Sequence, residues 1–320
     1  MRAALLFLLA MTGCQAATDV TVIKLGHGLD ASHPVHKSMV FMADTLAAMS
    51  SGSMRIDIYP SQQLGTERQT LELLQIGSLG ITKVSAAVME GFAADYRVVG
   101  LPYMFRDEAH RHSVLDGPIG QDVLLSSESS WLRGLTFYDA GSRSFYTKTR
   151  PIHVPSDLAG LKVRTMESAT QIRMVNAMGG SATPISWGEL YTALQQGVVD
   201  AAENNPPSFY LSGHYEVCKY YILDEHSAVP DVLLISTHVW RRLNEQQQVW
   251  LMGAVAASSR LQKVLWREAS DEALAAVEAA GVEIIRPDKA PFVEAVTPII
   301  EEYAADPSLS SLITRIREAL

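Results

Sequence analysis

A chain of 320 residues is about twice the usual length of one domain, so two domains sharing a cleft is the default expectation. Its 48% hydrophobic and 19% charged residues belong to an ordinary globular protein with a substantial core. The formal net charge of −9, with no block of Lys or Arg anywhere, argues against a nucleic-acid partner, and any anionic ligand would have to be held by local positive groups.

Residues 1–17 read as an export signal. Met1-Arg2 gives a positive start, Ala3 to Met11 a short apolar run, and small residues follow through Ala17. The run is too short to span a bilayer. Met11-Thr12-Gly13-Cys14 also resembles a lipobox, in which the cysteine is acylated and becomes the mature N-terminus, so contact with the membrane is expected only through such a lipid anchor. Cleavage near Ala16 or Ala17 is the alternative, and the mature protein is exported to the periplasm in either case. Only Cys14 and Cys218 exist, and the first lies inside the signal, so the mature chain is expected to have no internal disulfide.

From Thr18 onward strand-like and helix-like runs alternate. Val20 to Gly26 reads as a strand, and His33 to Met49 carries Val35, Met39, Met42, Ala43 and Leu46 at helical spacing. Met54 to Tyr59 is a strand closed by Pro60, Glu67 to Ile76 a helix, and Ile81 to Val84 a short buried strand. This order predicts α/β architecture, a parallel sheet with helices on both faces. Leu101 to Trp131 holds a turn and two helices, and two strands, Thr136 to Ala140 and Ser144 to Lys148, flank Gly141. After Pro151 and Pro155 the rhythm restarts as a second α/β lobe: strand Leu161 to Thr165, helices Ala169 to Met178 and Trp187 to Gln196, strand Val198 to Ala202. Val232 to Ser236 is a further strand. The helical pattern from Asn244 to about Ala280 would span roughly 50 Å at 1.5 Å per residue, more than one lobe. Val282 to Ile285 is a last strand, and polar-faced helices fill Lys289 to Leu320.

Gly26-His27-Gly28-Leu29-Asp30-Ala31 fits a degenerate dinucleotide fingerprint, but the next strand ends Ile58-Tyr59-Pro60 without the acid that would hold a ribose. A glycine loop beside a cleft is the better reading, and no cofactor is expected. The pairs His33/His36 and His110/His112 lack a third metal ligand at a suitable spacing, and HExxH and GxSxG are absent. Catalysis therefore has no local support.

Arg143, in Gly141-Ser142-Arg143-Ser144, and Arg164, ending Gly160-Leu161-Lys162-Val163-Arg164, are each by type more often surface or salt-bridge residues. Their positions near strand ends shift that balance, because ligands of open α/β sheets bind beyond the carboxyl ends of strands. An arginine fork also matches a carboxylate with two parallel hydrogen bonds. Asn204-Asn205 follows a strand and precedes Pro206-Pro207, so it can cap a helix, face the cleft, or both. Asn carries a donor and an acceptor, which suits sugar hydroxyls. Glu67 could accept from hydroxyls or only favour the dipole of its helix.

Together these residues resemble a family, the extracytoplasmic solute-binding proteins of tripartite ATP-independent periplasmic (TRAP) transporters, of the dicarboxylate-binding-protein (DctP) type. The resemblance rests on the exported start, the run from HPVHKSMVF to LLQIGSLGI, LPYMFRD, GSRSFY, PSDLAGLKVRTMES and WGELYTALQQGVVDAAENNPPSF, in the family's order over most of Val20 to Ser236. It implies a two-lobed fold closing on an organic acid, a long helix crossing both lobes, membrane permease subunits as partners, and no enzymatic activity. On this chain the lobes would be residues 18–145 with about 230–270, and 146–229 with about 271–320. It further implies that Arg164 pairs with the substrate carboxylate, that Arg143 adds a contact, and that Asn204 or Asn205, with Asn205 preferred, adds a polar one. The ENNPP segment near Trp187 looks like that of members binding hexuronates such as glucuronate or galacturonate. One arginine fork for the carboxylate, with Asn, Glu67, His33 and an aromatic for a polyhydroxyl ring, agrees. A C4-dicarboxylate or other carboxylate binder of the same family, an exported sugar-acid enzyme and a sensor partner are the alternatives.

Overall fold

The computed structural model describes residues 20–319. The expected export signal and Cys14 lie outside the described residues. Among the described residues eleven strands form in chain order: β1 (Thr21–His27), β2 (Met54–Tyr59), β3 (Ile81–Ser85), β4 (Leu132–Tyr138), β5 (Arg143–Thr147), β6 (Lys162–Thr165), β7 (Ser181–Pro184), β8 (Ala201–Asn204), β9 (Tyr220–Ser227), β10 (Asp231–Ser236) and β11 (Glu283–Ile285). They make two sheets, ordered β2-β1-β3-β10-β4 and β11-β9-β5-β8-β6-β7, one in each lobe of a two-lobed α/β protein. The chain crosses between them after β4, returns after β9 and crosses again between β10 and β11.

The first three strands pair in parallel, as their βαβαβ order requires. Neither sheet is wholly parallel, however. β10 enters antiparallel between β3 and β4, and β5 runs antiparallel to both of its neighbours, because each of these strands arrives from the other lobe without a helical crossover. β7 and β9 were not expected. β7 reads Ser-Ala-Thr-Pro with no apolar alternation, and β9 carries Asp224, Glu225 and His226, a composition that favours loop.

Helix starts follow local chemistry. His33 caps the helix Pro34–Met49, its ring accepting from the N–H of Val35. Thr66 and Gln69 form a capping box at the helix Glu67–Gln75, and Asn244 with Gln247 forms another at the helix Glu245–Ala279. That last helix has 35 residues and packs on the first-lobe helix Pro34–Met49 and on the second-lobe helix Pro206–Leu211. It is clasped at the crossing: Gln262 accepts from the N–H of Asp139 at 2.8 Å and donates to its carbonyl at 2.7 Å, while Tyr138 Oη meets Ser258 Oγ at 2.8 Å. Gly141 takes a φ of +57° there, and a Cβ on it would lie 2.9 Å from Trp266 Nε1. The crossing strand can hug the long helix only as glycine.

Two details depart from the expected lobe boundaries. A break after residue 145 would cut β5, all of which hydrogen-bonds in the second sheet. The C-terminal helix Pro307–Glu318 buries Leu309, Leu312, Ile313 and Ile316 in the same core cluster as Leu71, Val84 and Val98, so it packs on the first lobe as well as on its neighbour, the helix Ala290–Ala305. Among the described residues no helix is long and apolar enough to cross a membrane.

Candidate functional site

The strand ends of both sheets face one small cavity between the lobes, lined mainly by polar and charged side chains. Arg143, Arg164, Asn204, Asn205, Glu67, His33 and Trp187 all line it. Lys83, Ser85, Asp231, Ser208 and Trp266, which pattern reasoning missed, line it too.

Arg143 opens β5 and is bound on every side by protein. Its Nε lies 2.5 Å from Glu203 Oε2, one Nη donates to Glu203 Oε1 and to the Glu203 carbonyl at 2.9 Å, and the other donates to Asn204 Oδ1 at 2.8 Å. Burial works against its charge, yet Glu203 outweighs that and raises its pKa. Arg164, at the end of β6, differs. It is 3% exposed, and the only protein hydrogen bond of its side chain among the described residues is from Nε to the Ile185 carbonyl at 2.8 Å. Burial lowers its pKa, and the more distant Glu203 and Glu67 do not offset this. Its guanidinium stands 6.0 Å from the Trp187 ring. A buried cation without a carboxylate partner is costly, and a ligand carboxylate is what would complete it.

The first lobe contributes an opposite wall. Lys83 lies 3.0 Å from Asp231 Oδ1 and 3.5 Å from Glu67 Oε1, and Glu67 also accepts from the N–H of Ser85 at 3.1 Å. β3 and β10 place these groups together, since Ser85 pairs with Asp231 in the sheet. Burial lowers the tendency of Lys83 to hold its proton, but Asp231 and Glu67 overcome it and raise its pKa. Burial raises that of Glu67, with Lys83 opposing. Two carboxylates thus share one ammonium, a wall rich in acceptors.

Asn205 is the cap of the helix Pro206–Leu211, its Oδ1 accepting from the N–H of Ser208 at 2.9 Å. Asn204 Oδ1 accepts from Arg143 and from the N–H of Asn205 at 2.9 Å. The cap and cleft readings therefore hold together. Both acceptors are used, and among the described residues neither Nδ2 has a protein partner, so both amides retain donors at the cavity. His33 is not solvated: it is buried, and burial, with Lys83 and His27 adding to it, holds its pKa well below the usual value. The neutral ring has its Nε2 3.5 Å from Ser208 Oγ.

Other candidate chemistry is weaker. Glu108, His112 and Asp139 bring ligand atoms within 4.8 Å of one another, but Arg111 lies 3.0 Å from Asp139, so a metal ion would face a guanidinium. Burial pushes the Cys218 thiol up to about 12, which leaves it an inert core residue. A larger groove shares only Trp266 with the cavity, and four of its cations are paired with carboxylates, Arg111 with Asp139, Lys263 with Asp116, Arg267 with Glu108 and Lys289 with Glu225, while Arg106 donates to the Arg317 and Ala319 carbonyls.

Residues 25–306 match the family described as bacterial extracellular solute-binding protein, family 7 (DctP). A TRAP periplasmic solute-binding protein from Xanthobacter autotrophicus, solved with β-D-galacturonate bound, is 39% identical with a TM-score of 0.90, the match covering 93% of this chain and 100% of that one. Another from Anaerococcus prevotii, with bound α/β-D-glucuronate, is 36% identical with a TM-score of 0.91 over 93% of this chain and 98% of its own. The C4-dicarboxylate-binding periplasmic protein DctP of Rhodobacter capsulatus is 29% identical over 90% of this chain and 88% of its own length. The chain belongs to the bacterial extracellular solute-binding protein family 7, as an extracytoplasmic solute-binding protein of the TRAP, DctP type.

Proposed function

We propose that the protein captures a hexuronate, the class of D-glucuronate and D-galacturonate, and delivers it to a TRAP permease without chemical turnover. The observation that carries this reading is the asymmetry of the cavity's cations. Arg143 is neutralised by Glu203 and Lys83 by Asp231 and Glu67, whereas Arg164 has no carboxylate partner among the described residues. One free guanidinium suits one carboxylate. The facing wall, with two carboxylates around Lys83, would repel a second carboxylate but accept hydrogen bonds from ring hydroxyls. Asn204 and Asn205 offer donors to the same ring, and Trp187 and Trp266 offer apolar faces.

Capture would proceed by docking of the carboxylate on Arg164 in an open form, with the hydroxyls then bridging to the first lobe. The ligand favours closure by its greater affinity for the closed state. A thermal-shift and calorimetric panel tests the reading. D-galacturonate or D-glucuronate at a hundred times its Kd should stabilise the protein by about 2.7 kcal/mol, and succinate or malate should not. Stabilisation by the C4-dicarboxylates alone would overturn the substrate class, and turnover of a uronide by the purified protein would overturn capture without chemistry.

A further inference from the structure

Gln62 lies in the turn after β2. Ser61 and Gln62 there take φ of +52° and +58°, a left-handed conformation that residues with a Cβ adopt at a cost. The turn is fastened to the first lobe, the N–H of Ser61 donating to the Leu29 carbonyl at 2.9 Å and that of Gln62 to the His27 carbonyl at 3.0 Å. Its side chain points elsewhere, into a slot between the lobes. A Cβ on Gly188, in the second lobe, would lie 2.4 Å from Gln62 Oε1 and 3.1 Å from its Cδ. A Cβ on Gly28, in the first lobe, would lie 3.4 Å from Gln62 Cγ and 3.8 Å from Trp187 Cδ1.

Neither Gly28 nor Gly188 has a positive φ; a Cβ on Gly28 would make ordinary contact only, whereas the room left by the missing Cβ of Gly188 is taken by the Gln62 amide, which a Cβ there would have to push aside. Gln62 fills that room. Its Nε2 is buried without a partner among the described residues, and Trp187, beside it, lines the ligand cavity. A strained turn that aims an amide into a slot formed by two lobes, next to a cavity wall, is hard to account for by the stability of the first lobe alone.

We propose that Gln62 is a positioning residue for capture: its amide, seated against Gly188, latches the lobes together beside Trp187 and sets how long the bound acid stays. The latch rests on the reading that the cavity holds its ligand by closure. It does not depend on which acid is held. Because the contact exists only when the lobes meet, it acts on release more than on association.

The test is a cycle of four proteins, the wild type, Gln62→Gly, Gly188→Ala and the double variant. Gln62→Gly suits the left-handed backbone and should fold at least as well as the wild type. Release of D-galacturonate, and of succinate as a second probe, is followed by stopped-flow tryptophan fluorescence, with Trp187 and Trp266 as reporters. Each single variant should release ligand ~10-fold faster with association changed by no more than about twofold, and the double variant should be no faster than the faster single one, because both changes remove one contact. Unchanged release in the single variants, or multiplied effects in the double, would overturn the latch and leave the substrate reading intact. If the wild type takes succinate and neither galacturonate nor glucuronate, the hexuronate reading falls and the latch is judged on succinate.

Discussion

Arg164→Ala should abolish useful capture while leaving the free protein folded. Truncating one member of a buried, hydrogen-bonded charge pair costs about 2–5 kcal/mol, so the affinity for D-galacturonate or D-glucuronate should fall by roughly 30-fold to several thousandfold. The loss has two parts. The ligand carboxylate forfeits its charge-assisted fork, and it remains desolvated opposite Glu67 and Asp231. Arg164→Lys keeps the charge but loses the planar fork and its bond to the Ile185 carbonyl, so it should also bind poorly. The unliganded protein should respond the other way. Arg164 pays for its burial without an acidic partner, so its removal should leave the unliganded melting temperature unchanged or raise it. Calorimetry with both acids and a melt without ligand check the two halves. Near-wild-type affinity would remove Arg164 from the anchoring role.

That contrast was beyond the sequence. Arg143 and Arg164 both sit near strand ends, and nothing local distinguishes them. What separates them is Glu203, a buried acid in the middle of an Ala-Ala-Glu-Asn strand, 60 residues from Arg143 in the chain. The same limit hid Lys83 and Asp231, which meet across 148 residues because β10 returns antiparallel beside β3. Local signals were far more legible. Asn205 before two prolines is the helix cap its composition suggests, and Asn244 with Gln247 opens the long helix where the apolar period begins. Arg143, Arg164, Asn204 and Asn205 could be named from their places at strand ends and Glu67 from a helix start, while His33 and Trp187 entered with the family resemblance. Their partners could not, because pairing is a property of the folded sheet. β9 failed for a related reason: its Asp224 and His226 look solvated by type, and are buried because each satisfies the other.

Those two residues belong to a buried row that should dominate stability. Arg143 binds Glu203, Glu203 lies 3.5 Å from His226 Nε2, and His226 Nδ1 lies 2.7 Å from Asp224 Oδ2, with Asp224 also accepting from the N–H of Phe145 at 3.1 Å. The four charges cancel. Glu203→Gln would leave Arg143 without its carboxylate and His226 with Asp224 alone, and such a break costs about 3–5 kcal/mol. At about 2–4 °C per kcal/mol for a protein of this size, the melting temperature should fall by roughly 10 °C. The pH profile gives a second check. Burial opposes the charge on Glu203, but Arg143 and His226 win and hold its pKa at about 2, so its contribution is present above about 4.5 and is lost as pH falls toward 2. Burial likewise opposes the charge on His226, yet Asp224 and Glu203 raise its pKa to about 9, so its contribution is present below about 6.5 and is lost as pH rises to 9. At 1.36 kcal/mol per unit the alkaline loss is roughly 3 kcal/mol. Melts from pH 3 to 10 should therefore show a plateau near pH 5 to 6.5 that falls on both sides. In Glu203→Gln the acid arm should shrink and the alkaline arm begin at lower pH, since His226 then has one carboxylate in place of two. A variant that melts within a degree or two of the wild type, with the same alkaline arm, would show that Glu203 is not what keeps His226 charged and Arg143 in place at the cavity wall.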